Sequence, residues 1–355
     1  MSDRGAAWRE FALTPPRALG GPAGSARLKA SEEDFVVAER LGFAADGGVA
    51  HLLLRVEKRN RDTLSVAREL ARLADAPARD VGFAGLKDRL SVATQYFTVP
   101  APRPPRELAG LEGAGFRILE AAPHSRKLRR GALAGNAFAI VLRELEAPAP
   151  LLAERLAAVA ARGVPNYFGP QRFGQGGSNL EAIARFAAGE GLPRGREPRA
   201  FVLSAARSLL FNAVLARRVA DGSWDRLLAG ELVNLAGRNS WFAAGAIDGE
   251  LEARLARRDV HPTGPLAGKG PSPADAAGAL EADVFTGFEG LTAALEREGL
   301  EAARRPLRLS PEDFRAVPEH GTLRLEFRLP PGAYATAVVR ELVATPDTPL
   351  EPEDA

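Results

Sequence analysis

The rhythm of apolar and polar positions changes twice along this chain. Asp34 to Leu41 (DFVVAERL) and His51 to Glu57 (HLLLRVE) are rich in β-branched and aliphatic residues, which predicts two strands, and the turn formers ADGG between them predict a hairpin. Between Asp62 and Leu73 the apolar residues Leu64, Val66, Ala67, Leu70, Ala71 and Leu73 recur at helical spacing, with Asp62 or Thr63 placed to cap the start. Strand signals return at Val81 to Ala84, Thr94 to Val99 and Phe138 to Leu142. From about Leu151 the period becomes helical, predicting helices over Leu151 to Ala161, Asn179 to Ala188, Ala200 to Val219, Ser272 to Leu280 and Leu291 to Glu298. Strands resume at Leu307 to Leu309 and, with clear alternation, at Thr322 to Leu329, ahead of a last helix from about Tyr334 to Val343. β-rich ends around a helical middle predict an α+β protein, one sheet domain interrupted by a mostly helical insertion. The acidic, proline-containing tail after Ala344 is expected to fray.

Composition narrows the chemistry. With 355 residues and 46% hydrophobic content the chain exceeds the roughly 250–300 residues at which single cores stop growing, so two domains are expected. The absence of cysteine excludes disulfides, thiolate zinc sites and cysteine nucleophiles, and the four histidines, His51, His124, His261 and His320, share no metal-ligand spacing. No apolar run approaches the roughly 18–20 residues that cross a bilayer, and the opening MSDRGAAWRE lacks the apolar core of a signal peptide, so a cytoplasmic protein without a membrane partner is expected. A sequence pI of about 9.1 beside a net charge of +2 hints at a polyanionic partner.

Three segments carry candidate chemistry. Gly82 to Val99 (GFAGLKDRLSVATQYFTV) places Lys87, Asp88 and Arg89 between two strand signals, with Gly82 and Gly85 allowing a tight turn. A carboxylate between two cations suits a nucleophile or base working at neutral pH, although a lone KDR is more often a solvated turn with a surface ion pair. His124 to Arg143 concentrates Arg126, Lys127, Arg129 and Arg130 ahead of a glycine-rich connection carrying Asn136 and Phe138. Such cations can grip successive phosphates, and an amide and a ring can hydrogen-bond and stack an exposed base; a solvated charged face is the plainer alternative. Gly163 to Glu181 (GVPNYFGPQRFGQGGSNLE) interleaves Tyr167, Phe168 and Phe173 with Arg172, which fits either RNA contact or a structural turn. It matches neither GxxxxGK[ST] nor GxGxxG, so a mononucleotide site is not expected. Glu32, Glu33 and Asp34 are consecutive and cannot all face one metal ion, and no GxSxG elbow is present.

Taken in order, EDFVV at Glu33 to Val37, GLKDR at Gly85 to Arg89 with Thr94 and Gln95, RKLRRGALAGNAF at Arg126 to Phe138, GVPNYFGPQRFG at Gly163 to Gly174 and GAYATAVVREL at Gly332 to Leu342 closely resemble the TruD family of tRNA pseudouridine synthases. SAARSLLFN at Ser204 to Asn212 and LAGRNSWF at Leu235 to Phe242 resemble further family segments, so the likeness extends over almost the whole chain. The resemblance implies a pseudouridine synthase fold formed by residues 1–161 and 309–355, with a family-specific domain inserted at 162–308. It implies isomerisation of uridine 13 in the D-arm of certain tRNAs, with no cofactor and no metal; no obligate protein partner is evident in the sequence. Residue by residue, Asp88 matches the family's catalytic aspartate, while Phe35, Asn136 and Phe138 match positions lining the uridine pocket. Lys29 resembles a basic residue near the site, and Arg89 the cationic neighbour expected to pair with Asp88. At Tyr334 the family usually carries phenylalanine; tyrosine keeps a ring that stacks and adds a hydroxyl. Arg126, Lys127, Arg129, Arg130 and Arg172 are candidate RNA-backbone contacts. Two rival readings are a non-catalytic RNA-binding protein or tRNA folding chaperone, and a carboxylate hydrolase, for which no second acid is suitably placed.

Overall fold

Strands from both ends of the chain join in one sheet because their inward residues share a single apolar face. The structure, a computed structural model, describes residues 3–102, 107–238 and 240–346; the tail expected to fray lies outside these residues from 347 onward. Before the insertion come α1 (Asp3–Leu13), β1 (Ser25–Arg27), β2 (Phe35–Arg40), β3 (His51–Arg59), α2 (Thr63–Leu73), β4 (Gly82–Phe83), β5 (Val92–Pro100), β6 (Glu112–Gly113), β7 (Phe116–His124), β8 (Gly135–Glu146) and α3 (Ala149–Arg162). The insertion contributes β9 (Val164–Pro165), α4 (Leu180–Ala187), α5 (Arg196–Ala220), β10 (Leu232–Leu235), β11 (Trp241–Ala243), α6 (Gly249–Ala256), β12 (Val260–Leu266), α7 (Asp275–Phe285), α8 (Glu289–Arg297), β13 (Ala303–Pro306) and β14 (Arg308–Leu309). Then follow β15 (Glu312–Glu319), β16 (Thr322–Leu329) and α9 (Ala335–Leu342).

The main sheet has ten strands in the order β15-β16-β8-β2-β5-β3-β7-β6, with β1 added on β8 and β4 on β5. The expected hairpin between β2 and β3 does not form. β5 lies between them, parallel to β2 and antiparallel to β3. The stretch from Leu41 to Ala50 can step across one intervening strand, roughly 10 Å or two strand spacings, so its turn formers build a loop. Asp46 ties that loop to the end of β7 by accepting from the Ser125 amide at 2.8 Å, and such bonds hold its carboxyl down at about 2.

One face of the sheet carries two apolar cores. Phe35, Val37, Phe138, Ile140, Leu325 and Phe327 pack with α3 and α9 residues such as Val159 and Val338, while Leu54, Val56 and Phe97 pack with Val66 and Leu70 of α2. The cap of α2 is Asp62, which accepts from the Ser65 amide at 2.7 Å. Between the two cores the same face carries polar side chains, and there the candidate site lies.

The inserted segment folds around α5, whose buried residues include Val202, Leu209, Phe211 and Leu215. By length and composition α5 could cross a membrane, unlike anything expected from the sequence, but 67% of its most apolar window is buried inside the protein. The insertion also carries a four-stranded sheet, β11-β10-β12-β13, which the helical pattern did not reveal. Helix α1 docks here, with Trp8 stacked on Phe288 at 5.3 Å and the Phe11 carbonyl accepting from Asn212, although β1 just after it belongs to the main sheet. The chain enters and leaves the insertion at adjacent points, because β9 and β14 pair through Val164↔Leu309 and Pro165↔Arg308. Gly163 permits that clasp: its φ is +78° and a Cβ would lie 2.4 Å from the Leu309 carbonyl oxygen.

Candidate active site

The loop from Gly85 to Leu90 connects β4 to β5 and is anchored through its backbone. Gln95, fully buried on β5, donates to the Gly85 carbonyl at 2.5 Å. Gln95 accepts from the Thr63 hydroxyl at 3.0 Å, and that hydroxyl accepts from the Lys87 amide at 3.0 Å. The Asp88 carbonyl accepts from Lys58 Nζ and Ser91 Oγ, both at 2.7 Å. Lys58 is completely buried and also donates to the Arg61 carbonyl at 2.6 Å. The loop is thus held through its backbone, and the Asp88 side chain is 51% exposed.

Lys29 pairs with the Asp88 carboxylate, its Nζ lying 2.6 Å from Oδ2 and 4.6 Å from the centre of the Phe35 ring. Lys29 is buried and has φ +57°, a left-handed conformation that costs a non-glycine residue on the order of 1–3 kcal/mol. Strain of that kind persists where the surroundings impose it, and here it aims an ammonium at a carboxylate. Beside Asp88 in sequence, Lys87 Nζ pairs with buried Glu39 at 2.6 Å, and Arg89 Nε donates to Asn60 Oδ1 at 3.3 Å.

Phe35 and Phe138 meet edge to face at 6.0 Å, and Phe138 leans on Phe327 at 5.5 Å. Asn136 lies across the strands from Glu39 on one side and Leu329 on the other, and its Oδ1 is a buried acceptor with no partner among the described residues. An orphaned buried amide oxygen costs about 1–3 kcal/mol, so a ligand donor there would be rewarded. The basic loop abuts the Asp88 loop, since the Gly131 amide donates to the Ala84 carbonyl at 2.7 Å. Leu128 is buried as its plug, and Arg126, Lys127, Arg129 and Arg130 are exposed around it, Arg130 lying 4.7 Å over Phe83.

Tyr334 stands at the start of α9, five residues after Leu329, and Arg172 comes to it from the insertion to donate to its hydroxyl at 2.9 Å. Both touch Phe168, the Tyr334 ring edge-on at 6.4 Å and the Arg172 guanidinium at 5.7 Å from the ring centre. Of the three acids before β2, Asp34 is bound by Arg143 at 2.7 Å and Glu33 lies 3.5 Å from Arg59. Among the described residues no cluster of three potential metal ligands occurs.

Sequence reasoning did not single out Lys58 or Glu39, and took Thr63 only as a candidate helix cap. The signal for the first two was present: Lys58 is in phase with Leu54 and Val56 on β3, and Glu39 with Phe35 and Val37 on β2, so both are ionic groups at positions whose parity is inward. Polar groups placed that way need partners, and their partners here are the Asp88 loop.

Comparison with known proteins gives the fold and the family. A crystal structure from Methanosarcina mazei assigned to tRNA pseudouridine synthase D (TruD) matches the fold with a TM-score of 0.69, covering 94% of this chain and 97% of that one at 20% identity. The chain therefore shares the fold of that structure. The family model of tRNA pseudouridine synthase D (TruD) matches residues 18–187 and 196–342. Relatives named tRNA pseudouridine synthase D include that of Nitrosococcus oceani, 44% identical over 342 residues, and that of Pseudomonas syringae pv. syringae, 45% identical over 337 residues; each alignment covers 94% of this chain and 96% of the relative. The chain belongs to the tRNA pseudouridine synthase D (TruD) family.

Proposed function

We propose that this protein converts uridine 13 in the D-arm of tRNA to pseudouridine in the cytoplasm, with Asp88 as the catalytic carboxylate and neither metal nor cofactor. The observation that carries the reading is the Asp88 site itself: a carboxylate on a loop pinned through its backbone, met at 2.6 Å by a strained, buried lysine. A protein that only binds RNA has no use for that expense of strain, which weighs against the chaperone reading.

The reaction breaks the bond from N1 to C1′, turns the uracil and joins C5 to C1′; only the C5 proton leaves. A carboxylate contributes by attacking C1′, by adding to C6, or by taking a proton from the ribose, and in each case Lys29 fixes its direction. The uridine must first leave its stack, at a cost of a few kcal/mol. The Phe35 and Phe138 pair, the ring of Tyr334 and the open Oδ1 of Asn136 supply stacking and an acceptor for the extruded base, while Arg126, Lys127, Arg129 and Arg130 beside the Asp88 loop suit the phosphates.

The test is tritium release from a tRNA transcript labelled at uracil C5. Wild-type protein should release tritium from an unmodified transcript and none from one carrying cytidine at position 13. Equal release from both would refute the assignment to that position, and binding without release from either would favour the chaperone.

Lys58 is expected to act as a positioning residue. Lys58→Met removes the donor that holds the Asp88 carbonyl, and displacement of a reacting group by about 1 Å can cost about 100-fold in rate. Single-turnover kinetics should show that loss in the chemical step with tRNA affinity unchanged; a weakened affinity at full rate would contradict the positioning role.

A further inference from the structure

The seam between the sheet and the insertion holds a cation with no carboxylate in ion-pair range among the described residues. Arg305 of β13 lays its guanidinium 4.2 Å over the Phe168 ring and 5.5 Å from that of Phe211. Its Nε donates to the Asn166 carbonyl at 3.3 Å and its Nη2 to Asn166 Oδ1 at 2.7 Å. No carboxylate lies within 4 Å of it among the described residues. Burial, with the charge of Arg172 adding to it against the opposing influence of Tyr334, lowers the Arg305 guanidinium to about 10, so it is still charged at neutral pH.

The remaining nitrogen, Nη1, faces the loop that leads into α9, lying 3.7 Å from where a Cβ on Gly332 would be. Tyr334 is two residues further on, and its ring edge meets the same Phe168 face-partner that carries Arg305. A guanidinium with two nitrogens fixed by one asparagine and its plane fixed by a ring has no rotamer freedom left to lose, and its third nitrogen is a directed donor. Leaving such a charge unpaired is costly unless an anion completes it.

We propose that Arg305 binds a backbone phosphate of the RNA substrate beside the target uridine, clamping the strand at the seam next to Tyr334. The inference rests on the synthase reading above. Asn166 and Phe168 are then positioning residues for the clamp.

The experiment measures binding of the unmodified tRNA transcript to full-length wild type, Arg305→Gln and Arg305→Lys across a salt series, alongside C5 tritium release. Arg305→Gln should weaken binding about tenfold and reduce the magnitude of the slope of log affinity against log salt by about one; Arg305→Lys should keep the slope. A purely structural arginine would change melting but not the salt slope, and an unchanged slope in a folded Arg305→Gln protein overturns the proposal. If Arg305→Gln does not fold, transcripts with single neutral methylphosphonates around uridine 13 replace it. One flanking phosphate should then prove necessary for tight wild-type binding, and insensitivity at all of them overturns the clamp. Wild type that binds but releases no tritium refutes the synthase reading instead, and the salt slope still decides on Arg305.

Discussion

Asp88→Asn is expected to abolish tritium release, by at least about 1,000-fold, while tRNA binding stays within about threefold of wild type. The substitution keeps the shape of the side chain and removes its charge and nucleophilicity. It leaves the loop in place, because Lys58, Ser91, Gln95 and Thr63 hold the loop by its backbone atoms. The melting temperature should therefore be nearly unchanged, as for most half-exposed substitutions. Lys29 loses its ionic partner but keeps its place over the Phe35 ring. Turnover near the wild-type rate would remove Asp88 from the mechanism, and loss of binding together with turnover would mean that the carboxylate organises the RNA surface instead.

Arg218→Met should produce the largest loss of stability. Arg218 and Glu231 are 2% and 1% exposed and meet at 3.0 Å, and the guanidinium also donates to the carbonyls of Ser223 and Arg226. Removing the cation leaves a buried carboxylate uncompensated, which costs about 3–5 kcal/mol and, for a domain of this size, on the order of 10 °C in melting temperature. Burial already raises the Glu231 carboxyl, with Arg218 as the main force opposing it. Without Arg218 the folded-state value rises further above the unfolded one. A carboxyl shifted that way favours the folded state below its unfolded pKa and loses that support as pH rises through its folded pKa. The deficit should accordingly be larger at pH 8 than at pH 5, and Arg218→Met with Glu231→Leu should recover much of it. A single variant melting within a degree or two of wild type would show the pair to be dispensable.

Period alone located the elements that are amphipathic on their own. Strand β16 and helices α2, α3, α4 and α8 fall within a few residues of where the pattern put them, since each presents one apolar face to one core. What failed was what only tertiary structure decides. The pairing of β2 depended on β5 arriving between it and β3, and the sequence of either strand holds no record of that. Helix α1 was not seen because its apolar residues form no stripe; it is held by Phe288 and Asn212, far along the chain. Strands β10 to β13 are short, and β12 (VHPTGPL) carries two prolines and a glycine, which read as loop. At the candidate site, Lys29 and Phe35 came from resemblance alone, whereas Asp88 was also marked as a carboxylate between two cations in a loop between strands, and Asn136 and Phe138 as an amide and a ring in a glycine-rich connection. A lysine 59 positions from the aspartate it meets has no local signature.

An interrupted sheet imposes an order of events during synthesis. Between the end of β8 and the start of β16, its neighbour in the sheet, the ribosome must add about 175 residues, which at 5–20 residues per second takes roughly 10–35 s. Throughout that interval β8 has an open edge, and Phe138 and Ile140 lack the α9 helix that covers them. Helix α1, made before β8, likewise waits for α5. The nascent chain is thus obliged to finish the segment between β8 and β15 before it can close the sheet on either side of it. Any pause within the inserted segment would prolong the time during which an unprotected strand is available to other chains.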